Sequence, residues 1–519
     1  MDQIYRIDSV PIMKSLSIWV SVEELNQAIA NFDFTVKWSY RRQGNVKVTV
    51  STATYRSPIL CQFKRATCSV LIRNGEFNAH KFLVEVPRMP FVEKTPDTTS
   101  NPLTQFINNL GASQGRNTIN AEDCLAQASE VSGLYIHIPF CFHKCHYCDF
   151  YSIVGDENQQ TKFVERLVSE FAAVAPYITQ PIETIFIGGG TPTLIEQNLL
   201  SKMLGAIATH FTLAQDYEWT IEANPETLTP DVSTRLAEGG INRVSIGAQS
   251  FDIDCLKTLE RWHTPGSVAK SMQHVRNAGI ENVNLDLIFG IPNQTMEVFR
   301  NDIKQTVDLS PEHISAYALT YEPNTPLYVR EQRGDLQKID EDLESRMFQE
   351  TMTILEAHGY EQYEISNYAK PNRSCKHNLM YWNNKSWWPC GPAAAGHISG
   401  RRWRNVPKLS QYLTGFGLPS IEDVETLSEN GQAGEALMLG LRLRDGIQSD
   451  RVDQLLQVKG GQWRRKVIEE HIQQGNLDFA SSLRLTSKGL MVADSIIGDL
   501  LMDETSMVDT TMQDPNAKK

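Results

Sequence analysis

Cys141, Cys145 and Cys148 stand in the order C-x3-C-x2-C, with Tyr147 directly before the third. Two loops this short can bring three thiolates to one place, and thiolates select soft metals, above all iron–sulfur clusters and zinc. In a [4Fe–4S] cluster three cysteines leave one iron without a protein ligand, and that open iron is where chemistry can occur. The alternative is a structural zinc site completed by His143 or His146. Structural zinc sites generally use C-x2-C pairs, and no second pair follows here, so the spacing favours a cluster.

The elements that must position these thiols are legible on either side. A strand-like run, residues 133–140, leads into the first cysteine, and about forty residues later an apolar run at 184–188 opens into Gly188, Gly189, Gly190, Thr191 and Pro192. A glycine-rich strand end lets backbone N–H groups approach a ligand closely, although a plain tight turn has the same composition. Further strand-like runs fall at 218–223, 243–248, 283–289 and 313–319. Between them Phe163, Leu167, Phe171 and Val174 recur at helical spacing, as do Leu199, Leu200, Met203 and Ile207. Thr229 and Pro230 read as the N-cap and first residue of another helix. Six β–α units predict a parallel sheet with right-handed crossovers, its ligands at the C-terminal strand ends. Polar residues stand at those ends: Glu222, Gln249, Arg261 on the following helix, and Asp286.

Composition sets the class. The 519 residues suffice for two or three domains, and 41% hydrophobic with 21% charged residues is the balance of a soluble globular chain. No apolar run approaches a membrane span, and the first residues lack the pattern of a signal peptide. A net charge of −13 argues against a non-specific nucleic-acid binder. The remaining cysteines, Cys61, Cys68, Cys124, Cys255, Cys375 and Cys390, are unevenly spaced and read as reduced thiols of a cytoplasmic protein.

C-x3-C-x2-C together with GGGTP one strand later resembles the radical S-adenosylmethionine (SAM) enzymes. The resemblance implies a partial (β/α)6 barrel whose open iron chelates the amino and carboxylate groups of SAM, and whose cluster cleaves SAM to a 5′-deoxyadenosyl radical. The strings GGGTPT, EANPE, GAQSF, LDLIFGIP, YEISNYA and HNxxYW narrow the resemblance, over residues 131–505, to the oxygen-independent coproporphyrinogen oxidase group. That likeness implies that Tyr135 lies against cluster and SAM, Tyr147 near the adenine, and Gly189, Gly190 and Thr191 along the methionyl part. Glu222, Gln249, Arg261 and Asp286 would contact SAM. Carboxylates suit ribose hydroxyls and a guanidinium suits a carboxylate. An electron donor such as flavodoxin or ferredoxin is implied as well.

One position separates the two branches of that group. The dehydrogenase pattern continues as C-x3-C-x2-C-x-C, whereas this chain has Phe150 in place of the fourth cysteine. The CDF pattern resembles the HemW-like branch, haem chaperones that bind haem and pass it to an acceptor. The alternative is coproporphyrinogen III dehydrogenase, decarboxylating two propionates; a radical SAM enzyme of another substrate is a third reading. Intact SAM-site residues leave enzymatic use of SAM open. His377, Tyr381 and Trp382, in the HNxxYW string, form the possible haem site, with His263 and Cys375 as weaker ligands; a hydrogen-bonded core histidine with ordinary packing partners is the competing reading. Trp387 and Trp388 either cover a flat ligand or close a core edge. The loop at 390–399 departs from the group's glycine-rich GxGAHS pattern.

Around the barrel, expected at 131–405, lie four further segments. Residues 1–95 read as an α+β extension, with a helix at 22–29 and antiparallel strands near 34–40, 46–55, 61–72 and 81–86. Residues 96–130 read as a linker. Residues 406–505 read as helices with a short hairpin near 475–489, a winged-helix-like domain, and 506–519 as a disordered tail.

Overall fold

The computed structural model describes residues 121–501 and five strands between residues 15 and 87. Those five strands form an antiparallel sheet in the order Ser15–Val20, Phe82–Pro87, Ala66–Leu71, Asn45–Ser51, Thr35–Arg41. Four fall on the expected strands and the first was not foreseen. The helix expected at 22–29, the larger part of the linker and the tail lie outside the described residues.

Six parallel strands carry the rest: β1 (Gly133–Ile138), β2 (Ile182–Gly189), β3 (Leu213–Ala223), β4 (Arg243–Gln249), β5 (Asn282–Phe289) and β6 (His313–Ala318). Each pairs with its neighbour in chain order, as right-handed β–α units require. Intervening helices include α1 (Glu157–Val174), α2 (Gln197–His210), α3 (Pro230–Glu238), α4 (Pro265–Asn277) and α5 (Met296–Asp308). Local chemistry sets their starts. Asp156 and Gln159 form a reciprocal capping box at α1, and Thr229 accepts from Val232 N–H at α3, as the sequence predicts. The sheet stays open. Trp387–Cys390 pairs parallel with β1 and continues through antiparallel Ala395–Ile398, Arg401–Asn405 and Ile421–Thr426. Asn367–Ala369 and Glu361–Glu364 extend the sheet beyond β6.

The two faces of the strands differ in kind. One face is apolar: Leu134, Ile136, Ile185, Ile187, Val244, Ile246, Val283 and Leu285 are fully buried against the helices, with Phe163, Leu167 and Phe171 of α1 opposite. The other face, enclosed by the curving sheet, is polar and laced across strands. Ser245 donates to Asp286 (3.0 Å), Asn284 donates to Ser245 (2.7 Å), and His313 Nδ1 meets Asn284 Oδ1 (2.6 Å). The main core is therefore the layer between sheet and helices, and the barrel interior is reserved for hydrogen-bonding groups.

Two boundaries move. Residues 121–130, expected as linker, form a helical turn and a 3-10 turn whose Cys124 and Ala128 join the main core. The barrel unit also runs past 405, since Val406, Leu409 and Tyr412 belong to its core and Ile421–Thr426 to its sheet. A separate apolar cluster, from Ala433 to Leu501, begins after that. It gathers the helices Glu429–Gly440, Gly461–Gln473 and Ala493–Leu501 around a small three-stranded sheet that contains the expected hairpin, Leu477–Phe479 with Ser482–Leu485. No helix among the described residues is long and apolar enough to cross a membrane.

Glu170 of α1 ties the extra edge strands to the barrel. It accepts from Gly391 N–H (3.2 Å), Tyr412 O–H (2.5 Å) and Asn405 Nδ2 (3.3 Å), and burial pushes its carboxyl up to about 7. Glu170→Leu leaves these donors unpaired and should lower stability by about 3 kcal/mol. A carboxyl raised in the fold contributes fully below its ordinary value and progressively less as pH climbs toward about 7. Urea unfolding of the variant and the parent should therefore differ more at pH 5 than at pH 8.

Candidate functional site

The C-terminal ends of β2 to β6 and the cysteine loop after β1 enclose a cavity of about 690 Å³. Cys141, Cys145 and Cys148 all line it, with Tyr147, Gly189, Gly190, Thr191, Glu222, Gln249, Arg261 and Asp286. Eleven of the twelve expected cluster and SAM residues thus share one space.

The cysteine loop is held at its stem by main-chain bonds. Cys141 N–H donates to Ile153 O (2.9 Å) and Ile153 N–H to Pro139 O (2.7 Å). The glycine turn locks onto the same stem: Gly190 N–H donates to Ile138 O and Thr191 N–H to Phe140 O, both at 2.7 Å. Gly189 N–H donates to Glu222 Oε2 (3.1 Å). These three amides are therefore spent inside the fold, which corrects the expectation that the glycines offer free N–H groups to a ligand. Their value is steric. Gly189 has φ +101°, and a Cβ there would stand 2.4 Å from the His137 ring; a Cβ on Gly190 would meet Phe140 O at 2.6 Å.

Electrostatics around the thiols suit a metal group. Burial pushes Cys148 up to about 11 and also raises Cys141, so without metal both are protonated, and a metal must displace the protons. Thr191 Oγ1 faces Cys141 Sγ (3.7 Å) and Arg261 Nη1 faces Cys145 Sγ (3.8 Å), each a donor aimed at sulfur. Among the described residues no three His, Cys, Asp or Glu side chains are gathered tightly enough to hold a single ion. The three cysteines do line one cavity, the number of thiolates that leaves one iron of a [4Fe–4S] cluster without a protein ligand.

The carboxylates lie beyond the sulfurs. Burial, reinforced by the charge of Asp286, pushes Glu222 up to about 7. Burial raises Asp286 too, against hydrogen bonds from Ser245 and Asn284. A ligand presenting hydroxyl or ammonium hydrogens here restores their ionised forms. Burial alone would lower Arg261, but the adjoining Tyr147 and Cys145 hold it charged. Arg261 stands in the loop after the helix Ile253–Thr258, not on a helix as expected, and its Nη2 donates to Gly247 O (2.6 Å). The walls between the polar groups are Ala223, Ile288 and Leu319. This donor set fits both a cluster and SAM.

Tyr135 does not line the cavity. Its hydroxyl meets His137 Nδ1 (3.1 Å) and its ring stacks on Phe186, in the layer beneath. The possible haem site is corrected more strongly. His377 is 1% exposed, its Nδ1 bonded to Thr184 Oγ1 (2.9 Å) and its Nε2 to Tyr381 O–H (2.8 Å), so neither nitrogen is free for iron. Burial pushes it down to about 3, hence neutral. Glu218 accepts from the N–H groups of Lys376 and His377 at the start of the helix Lys376–Trp382. Trp382 carries Arg442 over its ring at 4.7 Å. The HNxxYW string is thus a plug for the barrel floor and a seat for the C-terminal unit. Cys375 and His263 are buried as well, and Trp387 and Trp388 pack against His397 and Trp403.

Ser245 and Tyr317 also line the cavity and were not foreseen. The period of two along a strand reaches both: Ser245 precedes Gly247 and Gln249 on one face of β4, and Tyr317 follows Ser315 on β6. Phe142 and Trp262 line the mouth too.

The radical SAM superfamily profile matches residues 135–306, and that of the HemN C-terminal domain residues 427–492. The heme chaperone HemW of Lactococcus lactis is 33% identical over 371 residues, covering 71% of this chain and 97% of that protein. HemW of Bacillus subtilis is 35% identical over 373 residues, covering 71% and 98%. Among solved structures, coproporphyrinogen III oxidase (HemN) from Escherichia coli superposes with a TM-score of 0.64 at 21% identity, covering 74% of this chain and 93% of that one, a likeness of fold.

Two substitutions test the carboxylate pair. Asp286→Ala should weaken SAM binding by roughly 1–3 kcal/mol in calorimetry. Because an ionised Glu222 accepts from a ligand more strongly than the neutral acid, SAM affinity should fall as pH drops below about 7, by up to about tenfold per unit. Glu222→Gln should flatten that dependence.

Proposed function

Because the chain belongs to the radical SAM superfamily, in its HemN/HemW-like branch, we propose that it works as a haem chaperone: it holds a [4Fe–4S] cluster and SAM in this cavity, binds haem, and hands it to an acceptor protein. Cys141, Cys145 and Cys148 would ligate the cluster. Glu222, Gln249, Arg261 and Asp286 would hold SAM, with Tyr147 beside them. When bound, the cluster supplies an electron to SAM, delivered to it by a flavodoxin- or ferredoxin-type donor. The chain's own part is to exclude water with Tyr147, Ile288 and Leu319, and to hold the polar ends of SAM with buried carboxylates and a fixed guanidinium.

The observation that carries the reading is position 150. Where the dehydrogenase pattern has a cysteine, Phe150 stands at the cavity, 62% exposed. A phenyl ring cannot ligate metal, donate a proton or transfer a hydrogen atom from sulfur. The named relatives at 33% and 35% identity are haem chaperones, which supports the same choice. Cys124, Cys141, Cys145, Cys148, Cys255, Cys375 and Cys390 form no disulfide, which supports work in the reducing cytoplasm.

Anaerobic reconstitution should give about four irons and four labile sulfides per chain, and Cys→Ala at any of the three positions should abolish them. Stoichiometric zinc without sulfide overturns the cluster assignment. With cluster, SAM and reductant present, one haem should bind per chain and coproporphyrinogen III should remain unconverted. Turnover of coproporphyrinogen III would establish the dehydrogenase instead. Absence of both would leave a radical SAM protein of another substrate.

A further inference from the structure

Resting on that reading, we propose that the haem sits across the cavity mouth on the cysteine loop, with His143 as its axial iron ligand and the rings of Phe142, Trp262 and Phe150 against the porphyrin. A haem chaperone needs apolar surface for a flat macrocycle and a ligand for its iron, and His377 has no nitrogen to offer. The cavity mouth provides both.

Phe142 is 63% exposed and Trp262 41%, and they pack on each other with ring centroids 5.1 Å apart, tilted by 41°. Phe150 is exposed on the same rim. Three large aromatic side chains left to water around one opening mark a binding surface, since the fold gains nothing by displaying them. Their faces suit a porphyrin, which stacks on aromatic rings.

His143 is the one histidine lining the cavity among the described residues. It stands between Phe142 and Lys144 on the loop, with its side chain 44% exposed. Glu260 Oε2 lies 3.6 Å from its Nε2, and Glu260 Oε1 lies 4.0 Å from His146 Nε2. A carboxylate this near can close onto one imidazole nitrogen when the other takes a metal, the arrangement usual behind metal-bound histidines. His146 is less suited, because its Nδ1 is buried and its ring mostly covered. Exposed Lys144 adds a cation within the same loop for a propionate. The haem would thus rest on the loop that carries the cluster, where a change at the cluster reaches it directly.

Ferric haem titrated into the reconstituted protein, followed by Soret absorbance and electron paramagnetic resonance, tests this. The parent should show histidine ligation. His143→Ala should keep about four irons, bind haem at least about tenfold more weakly and lose the histidine signature, which added imidazole should restore. Phe142→Ala with Trp262→Ala should weaken binding while keeping that signature. If His143→Ala loses the cluster, Glu260→Gln, outside the cysteine loop, decides: a weakened and spectrally altered haem site supports the seat, an unchanged one overturns it. Unchanged haem binding in His143→Ala, or loss of the signature only in His377→Ala, overturns it as well. A parent chain that binds no haem removes the chaperone reading, and the seat with it.

Discussion

The interior of this barrel is polar, and a buried polar group without a partner costs about as much as a good apolar contact gains. That constraint organises everything around the site. Asn284 serves Ser245, Asp286 and His313 at once; His313 reaches Tyr363 (2.8 Å), and Tyr363 receives Asn378 (3.4 Å) from the floor helix. The chain of bonds runs from Asp286 at the cavity to Asn378 of the HNxxYW segment. It fixes Asp286 from beneath while its upper side faces the cavity. Helix packing holds the strands together from outside, but the interior bonds set which atoms are presented at the top.

This division also explains why residues that look like ligands are not at the site. His377, His313, His263 and Cys375 are chemically suited to metals, yet all are buried and engaged in bonding below or beside the cavity. Burial drives the histidines toward the neutral form, so they act as fixed donors and acceptors. The residues free to meet a ligand are those at strand ends and on the cysteine loop.

The sequence made the barrel readable because its strands alternate. Leu134 and Ile136 face the helices while Tyr135 and His137 face inward, and the same period marks β4 and β5. All six strands lie where apolar runs predicted them, and the three cysteines converge with Glu222, Gln249, Arg261 and Asp286. What sequence could not settle was depth. Tyr135 and Tyr147 are both tyrosines near the cysteines, but β1 places the first under the floor while the loop places the second on the wall. Spacing likewise cannot distinguish a glycine whose N–H is free from one whose N–H is bonded, as at Gly190. The edge strand beyond 405 was missed because Ile421–Thr426 is short, carries Glu422, Asp423 and Glu425 among its six residues without a clean alternation, and pairs with Arg401–Asn405 across a long connection.

The bonds from Gly190 and Thr191 to the stem of the cysteine loop have a consequence for the life of the protein. The stem of the loop that carries the sulfurs is tied to the sheet by main-chain bonds, so its anchorage does not rest on metal ligation alone, in contrast to small zinc domains whose fold depends on their ion. Loss of a cluster would remove the metal bonds and leave these stem bonds to hold the loop against the sheet.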